Sequence, residues 1–194
     1  MQIPTSQKNQ MNYNRHAMDN DILKCLRERR SVRKFKPQQI SDEELVAVLD
    51  AGTYAPTGKN LQDPWIVAVQ NENMRKELTA LNARFTSGDN VDPYYGAPTI
   101  ILVFGSPLDK WKNSVCDASL VLGNMMNAAH SIGLGSCWIN REREMFDTME
   151  GKEIMQRLGL PKDLVGIGSI SLGYPEGELR QASPRKKDYY RIVK

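Results

Sequence analysis

Residues 117 to 131 constrain the fold most, because apolar side chains cover most of the helix that they predict. The apolar positions are Leu120, Val121, Met125, Ala128 and Ala129. A helix at a protein surface usually keeps one face polar, so a helix that is apolar on several sides needs neighbours all round. We therefore expect a deeply buried helix whose methionines fill gaps in the packing.

Shorter segments predict the strands and helices that surround this central helix. Strands are predicted at 65–70, 99–104, 136–139 and 164–173, and further helices at 19–30, from Ser41 to before Pro56, from Asn71 through Leu81, and at 152–158. Ser41 is followed three residues later by Glu44, which is a capping box and marks a helix start. The chain therefore predicts a mixture of helices and short strands.

Length and composition indicate one globular domain. The chain has 194 residues, of which 40% are hydrophobic and 25% charged, and a net charge of +3. These values are close to the globular average, and so modest a positive charge does not indicate nucleic-acid binding. We place the domain at 18–194 and expect the polar residues 1–17 to form a mobile extension that lacks the apolar core of a secretory signal.

Histidine and cysteine usage argues against two common kinds of site. His16 lies in the expected extension and His130 at a helix end, so neither a metal site nor a Ser-His-Asp or Cys-His arrangement is predicted. The three cysteines, Cys25, Cys116 and Cys137, are odd in number and have no C-x-x-C spacing. This usage fits free thiols in a reducing compartment, and we expect a cytoplasmic protein.

The stretch Arg29-Arg30-Ser31-Val32-Arg33-Lys34-Phe35 places three guanidinium groups and a hydroxyl within five residues. Arginine presents a planar fork of donors that suits two phosphate oxygens, and serine adds a compact donor. Val32 and Phe35 alternate with basic residues as in a half-buried extended segment. The stretch therefore predicts a phosphate-binding segment, and the alternative is an exposed basic strand without a ligand.

Two later stretches complete a recognisable pattern. They are Ala55-Pro56-Thr57-Gly58-Lys59-Asn60-Leu61-Gln62-Asp63-Pro64-Trp65 and Pro184-Arg185-Lys186-Lys187. With the basic stretch, and in the same order along the chain, they resemble the FMN-dependent nitroreductase family from about Met18 to the C-terminus. The chain reads Gln-Asp-Pro-Trp where family members commonly read Gln-Pro-Trp.

The resemblance implies an α+β fold in which a central, mostly antiparallel sheet is flanked by helices. It also implies an intertwined homodimer, in which the C-terminal tail wraps the partner and each FMN site lies at the subunit interface. The helix at 117–131 then forms much of that interface.

The resemblance also implies the cofactor-binding residues. Those expected at the phosphate and ribityl chain are Arg29, Arg30, Ser31 and Arg33, joined from the tail by Arg185 and Lys186. Pro56, Thr57, Asn60 and Gln62 come from the partner subunit and meet the ring edge or the ribityl chain. Ile139 and Asn140 place backbone amides near flavin N5. No side chain is assigned a catalytic role, because the flavin carries the chemistry.

The implied function is electron transfer from NADH or NADPH to a nitroaromatic, quinone or related acceptor, by a ping-pong mechanism at one pocket. The alternatives are a flavin-binding or flavin-sensing protein without turnover, a superfamily relative with dehalogenating or flavin-cleaving activity, and, as a distant third, a nucleic-acid-binding surface. The loops at 84–95 and 105–114 would decide between a nitroreductase and a dehalogenating or flavin-cleaving relative. Within the first, Tyr94 and Tyr95 are either packing residues at a strand entrance or a cover over the substrate.

Overall fold

Four antiparallel strands form the centre of the fold in the computed structural model, which describes residues 18–86 and 91–194. The strands are β1 (Trp65–Val69), β2 (Thr99–Gly105), β3 (Gly135–Ile139) and β4 (Val165–Gly173), in the order β1-β2-β4-β3. Each neighbouring pair is antiparallel. The predicted α+β class and antiparallel sheet are confirmed, whereas the expected extension at 1–17 lies outside the described residues.

Six α-helices of the described chain flank the sheet. They are α1 (Asp21–Glu28), α2 (Asp42–Thr53), α3 (Glu72–Ala83), α4 (Ser114–Ser131), α5 (Glu142–Asp147) and α6 (Met149–Arg157). The predicted capping box is confirmed, since the Ser41 side chain accepts from the backbone N–H of Glu44 while the Glu44 side chain accepts from that of Ser41. None of these described helices is long and apolar enough to cross a membrane.

Alternating residues of β2 face two separate cores. Ile100, Leu102 and Phe104 pack in a cluster with residues of α3, α5 and α6. Ile101 and Val103 pack on the other face with residues of α2 and α4. All seven residues of β2 are buried because helices cover both faces of the sheet.

Helix α4 begins three residues earlier than predicted and is buried along one side. Val121, Leu122 and Met125 are fully or almost fully buried, whereas Leu120 is 47% exposed. The predicted burial of this helix on all sides is therefore not reached within a single chain. Helix α1 shows the same pattern more strongly, since Ile22 is 72% exposed and no residue of that helix is buried.

Helix α5 was not predicted from the sequence. Gly151, in the first turn of α6, allows α5 and α6 to pack closely, because a Cβ atom at this position would lie 2.1 Å from the backbone oxygen of Met145. The side chain of Thr148 caps α6 by accepting from the backbone N–H of Gly151. Helix α5 follows β3 after a short turn, so the packed helices α5 and α6 hold the backbone at the end of that strand.

Candidate functional site

The basic stretch lies along the entrance of β3 and the exit of β4. The backbone N–H of Val32 donates to the Ser136 oxygen at 2.9 Å, and that of Lys36 donates to the Tyr174 oxygen at 2.9 Å. Val32 and Phe35 are each 8% exposed, whereas Arg33 lies on the exposed side of the segment. Two buried apolar side chains therefore hold the segment in place and leave the side chain of Arg33 at the surface, where a ligand can reach it.

Two guanidinium groups in this stretch have buried atoms that find no partner among the residues that the structure describes. Arg30 donates from Nη1 to the backbone oxygens of Arg27 and Arg29, at 2.7 and 2.6 Å. Within the described residues, however, Arg30 Nε and Arg29 Nη1 are buried and have no hydrogen-bond acceptor. A buried, charged donor without an acceptor is costly, so this arrangement fits an anion such as a phosphate.

The thiol of Cys137 lies close to several side chains of the basic stretch. Burial raises its pKa, whereas the positive charge of Arg33, the Ser31 hydroxyl and the charge of Arg29 act in the opposite direction. Three of the residues predicted to bind phosphate therefore converge near one position of β3. Next to them, residues 30–34 and 175–180 line a cavity of about 500 Å³.

The polar loop at 56–62 has an unusual backbone. Lys59, Asn60 and Gln62 have φ values of 54°, 55° and 51°, the left-handed region that non-glycine residues rarely occupy. The backbone N–H of Gln62 donates to Thr57 Oγ1 at 3.0 Å and closes the loop. Backbone strain of this kind persists only where the surroundings enforce it, and it is concentrated at functional sites.

The side chain of Asp117 enforces the shape of this loop. Asp117 is 3% exposed and accepts from the backbone N–H of Gly58 at 3.0 Å and from Trp111 Nε1 at 2.7 Å. The ammonium of Lys59 lies 5.9 Å from the centre of a Trp111 ring. Sequence reasoning missed this role, although an acidic residue in the first turn of a buried helix was a signal for it.

Asp63, the residue that interrupts the usual Gln-Pro-Trp motif, fastens the end of the loop. Its carboxylate accepts from the backbone N–H of Ser106 at 3.0 Å and from the Ser106 hydroxyl. The insertion is therefore accommodated by a contact with the loop after β2. Pro56, Asn60 and Gln62 are all exposed.

The chain turns sharply after β3. Ile139 is 7% exposed and packs in the core, whereas Asn140 is exposed. Asn140 Oδ1 accepts from Trp138 Nε1 at 2.9 Å, and the next residue, Arg141, has φ 89°. The strained turn holds the peptides of the predicted N5 site in a defined orientation.

Tyr94 and Tyr95, predicted to be either packing residues or a cover over the substrate, have different environments. Tyr94 is 1% exposed and packs in the core, so it does not cover a substrate. Tyr95 has φ 58° and its ring centre lies 6.0 Å from the Arg33 guanidinium, at the edge of the basic stretch.

One chain does not bring the basic stretch and the polar loop together. Arg29 and Arg30 lie near His130 in the last turn of α4, where burial and then the charge of Arg29 lower the pKa of that histidine. The polar loop is attached to Asp117 in the first turn of α4. His130 and Asp117 are thirteen positions apart, or about 20 Å along the helix.

The tail residues lie beside α1, since Arg185 and Lys186 line a cavity together with Arg27. Arg185 donates to the backbone oxygen of Ser183, and the ammonium of Lys186 lies 5.5 Å from the centre of the Tyr189 ring. Both residues are exposed. Their predicted contact with phosphate stays a prediction that involves a second copy of the chain.

Comparison with known proteins identifies the family. The model of the nitroreductase family matches residues 26–174. The chain belongs to the nitroreductase family. A relative from Archaeoglobus fulgidus, with the provisional name NADH dehydrogenase/NAD(P)H nitroreductase, is 32% identical over 88% of this chain and 90% of its own length.

Solved structures of nitroreductases share the fold. The FMN-bound nitroreductase from Bacteroides fragilis NCTC 9343 superposes with a TM-score of 0.83 at 31% identity, covering 91% of this chain and all of that one. The FMN-bound nitroreductase from Desulfitobacterium hafniense DCB-2 gives 0.82 at 26% identity, with the same coverage. The fold and family expected from the sequence are confirmed.

Proposed function

We propose that this nitroreductase-family chain is an FMN-dependent oxidoreductase that takes electrons from NADH or NADPH and passes them to a nitroaromatic, quinone or related acceptor. The observation that carries the proposal is the pair of buried guanidinium atoms on Arg29 and Arg30 that have no acceptor among the described residues. The nitroreductases from Bacteroides fragilis and Desulfitobacterium hafniense hold FMN, and its phosphate dianion is an anion that suits these donors.

The proposed site is built from two copies of the chain. The basic stretch and the polar loop lie at opposite ends of α4 in one chain, so an antiparallel crossing of two α4 helices would bring the stretch of one copy to the loop of the other. Exposed apolar side chains on α4 and α1 support such a crossing, since Leu120 is 47% and Leu26 52% exposed.

Each group of residues has a proposed task at that site. Arg29, Arg30, Ser31 and Arg33 bind the phosphate and ribityl chain, and Arg185 and Lys186 add positive charge from the tail. The loop residues Pro56, Thr57, Asn60 and Gln62 of the second copy meet the ring edge. Ile139 and Asn140 present their backbone to N5. The bound flavin supplies the electron transfer, and this chain supplies binding, orientation and charge.

The phosphate assignment is tested with Arg29→Ala and Arg33→Ala, and Lys36→Ala is a matched control from the exposed side of the same segment. A charge-assisted hydrogen bond contributes about 1.5–3 kcal/mol, so each arginine variant should raise the Kd for FMN by roughly 10- to 100-fold. Riboflavin, which lacks the phosphate, should bind all four proteins about equally. Equal loss of FMN and riboflavin binding would contradict the phosphate contact.

The two-copy site is tested by complementation. Arg33→Ala and Asn60→Ala each remove one half of the site, and a coexpressed mixed dimer contains one site with both halves intact. At an FMN concentration that fills the wild-type site but lies below the Kd of each variant, NAD(P)H oxidation with a quinone acceptor should therefore return in the mixture but in neither variant alone. A site confined to one chain predicts no recovery.

Catalysis is tested by anaerobic addition of NADH or NADPH to the flavin-loaded protein. The yellow colour should bleach and then return when menadione or nitrofurazone is added. A flavin that stays yellow under both nicotinamides would favour binding without turnover. A protein that takes up no FMN would refute the proposal as a whole.

A further inference from the structure

A chain of hydrogen bonds connects a buried carboxyl to the turn after β3. Glu142 is 1% exposed, and its Oε1 accepts from the Ser169 hydroxyl and, at 3.4 Å, from the Tyr94 hydroxyl. Asn82 Nδ2 donates to the Tyr94 oxygen at 3.4 Å and to the backbone oxygen of Asn140 at 2.9 Å. The carboxyl thus reaches the Asn140 peptide through two buried side chains.

The last bond of this chain sets the orientation of one peptide group. In a trans peptide the C=O and N–H point in opposite directions. Since the Asn140 carbonyl points inward to Asn82, the N–H of Arg141 points away from that core. Arg141 holds φ 89° and ψ 4°, a conformation that a non-glycine residue keeps only when its surroundings enforce it. The bond from Asn82 is one such constraint.

Glu142 can exist in two charge states at this position. Burial raises the pKa of its carboxyl to about 7, while the hydrogen bonds from Ser169 and Tyr94 oppose that shift. The neighbouring Glu144 carboxylate raises it slightly, whereas the two side chains bonded directly to the group, Ser169 and Tyr94, are neutral, as is Asn82 of α3, which bonds to Tyr94. Within the described residues, Glu142 Oε2 is buried and has no hydrogen-bond partner.

The charge state changes the hydrogen bonds that reach Asn82. An ionised carboxylate accepts strongly from the Tyr94 hydroxyl, and the polarised tyrosine oxygen then accepts more strongly from Asn82. A protonated carboxyl can instead donate to the same tyrosine oxygen and compete with Asn82 for it. The hold on the Asn140 carbonyl is therefore firmer when Glu142 is ionised.

We propose that Glu142, acting through Tyr94 and Asn82, is a positioning residue that orients the Asn140–Arg141 peptide at the flavin site. This inference rests on the proposed function, which places Asn140 beside the flavin ring. The inference adds to the proposed function a buried carboxyl, behind the site, that controls how tightly the flavin ring is bound.

The test measures the Kd for FMN by fluorescence at about pH 6 and about pH 8.5 in the wild type, Glu142→Gln, Tyr94→Phe and the exposed control Glu153→Gln. The phosphate of FMN titrates near pH 6 in every case, so its effect cancels when variants are compared. The wild type and Glu153→Gln should gain about threefold more affinity on raising the pH than Glu142→Gln and Tyr94→Phe. The same pH dependence in all four proteins would overturn the inference.

A second measurement needs no flavin and separates this inference from the proposed function. In the flavin-free protein, the side-chain amide resonance of Asn82 should titrate in the wild type and stay constant in Glu142→Gln and Tyr94→Phe. A resonance constant in the wild type would overturn the inference even if FMN binds normally. If the resonance titrates and wild-type protein takes up no FMN, the proposed function fails, and the flavin role of Glu142 fails with it.

Discussion

Glu142→Gln should make the stability of the protein less dependent on pH, because it removes a carboxyl that the fold keeps protonated. Burial raises the pKa of Glu142 from 4.5 to about 7. Below about pH 4.5 the carboxyl is protonated in both the folded and the unfolded chain, and its contribution to stability is fully present. As the pH rises further, the unfolded chain releases this proton first, so the folded state loses stability until the folded carboxyl also ionises.

The size of this loss follows from the interval between the two pKa values. Each pH unit between 4.5 and about 7 removes about 1.4 kcal/mol from the free energy of unfolding, which gives about 3 kcal/mol in total. Glutamine is neutral throughout and keeps an oxygen that accepts from Ser169 and Tyr94. Its amide group adds a constant cost at the position of Oε2, which has no partner in the described part of the chain, and this cost does not alter the pH dependence.

The assay is chemical denaturation of flavin-free protein at a fixed protein concentration, from about pH 4.5 to about pH 8. The difference in unfolding free energy between wild type and Glu142→Gln should move by about 3 kcal/mol in favour of the variant over this range. Glu153→Gln, an exposed change on α6, should show no such trend. Parallel curves for wild type and Glu142→Gln would refute the reasoning, because they would mean that Glu142 ionises equally easily in both states.

Two further substitutions test the packing around the site. Asp117→Asn turns a donor toward Trp111 Nε1 and should cost about 1–3 kcal/mol in unfolding free energy; a wild-type value would mean that the carboxylate does not anchor the loop. Gly151→Ala places a Cβ atom 2.1 Å from the Met145 oxygen and should lower Tm, by overpacking that costs about 1–3 kcal/mol. An unchanged Tm would show that α5 and α6 separate easily.

The sequence pattern was sufficient to predict the helices and strands that have a strong local signal. The capping box at Ser41, the apolar strand from Thr99 and the helix that ends at Ser131 were predicted and are confirmed. Helix α5 was missed because it has only six residues and directly adjoins α6. Such a short segment shows too little periodicity to be separated from its neighbour.

The sequence alone determined the fold class, the family and the residue types proposed to bind an anion, because spacing and side-chain chemistry are local properties. Tertiary structure decided which of these residues meet. It placed the basic stretch and the polar loop at opposite ends of α4, and it brought Asn82, Tyr94 and Glu142 together from distant parts of the chain. Hydrogen bonds between such distant residues depend on the packed core around them, so no local pattern in the sequence reveals them.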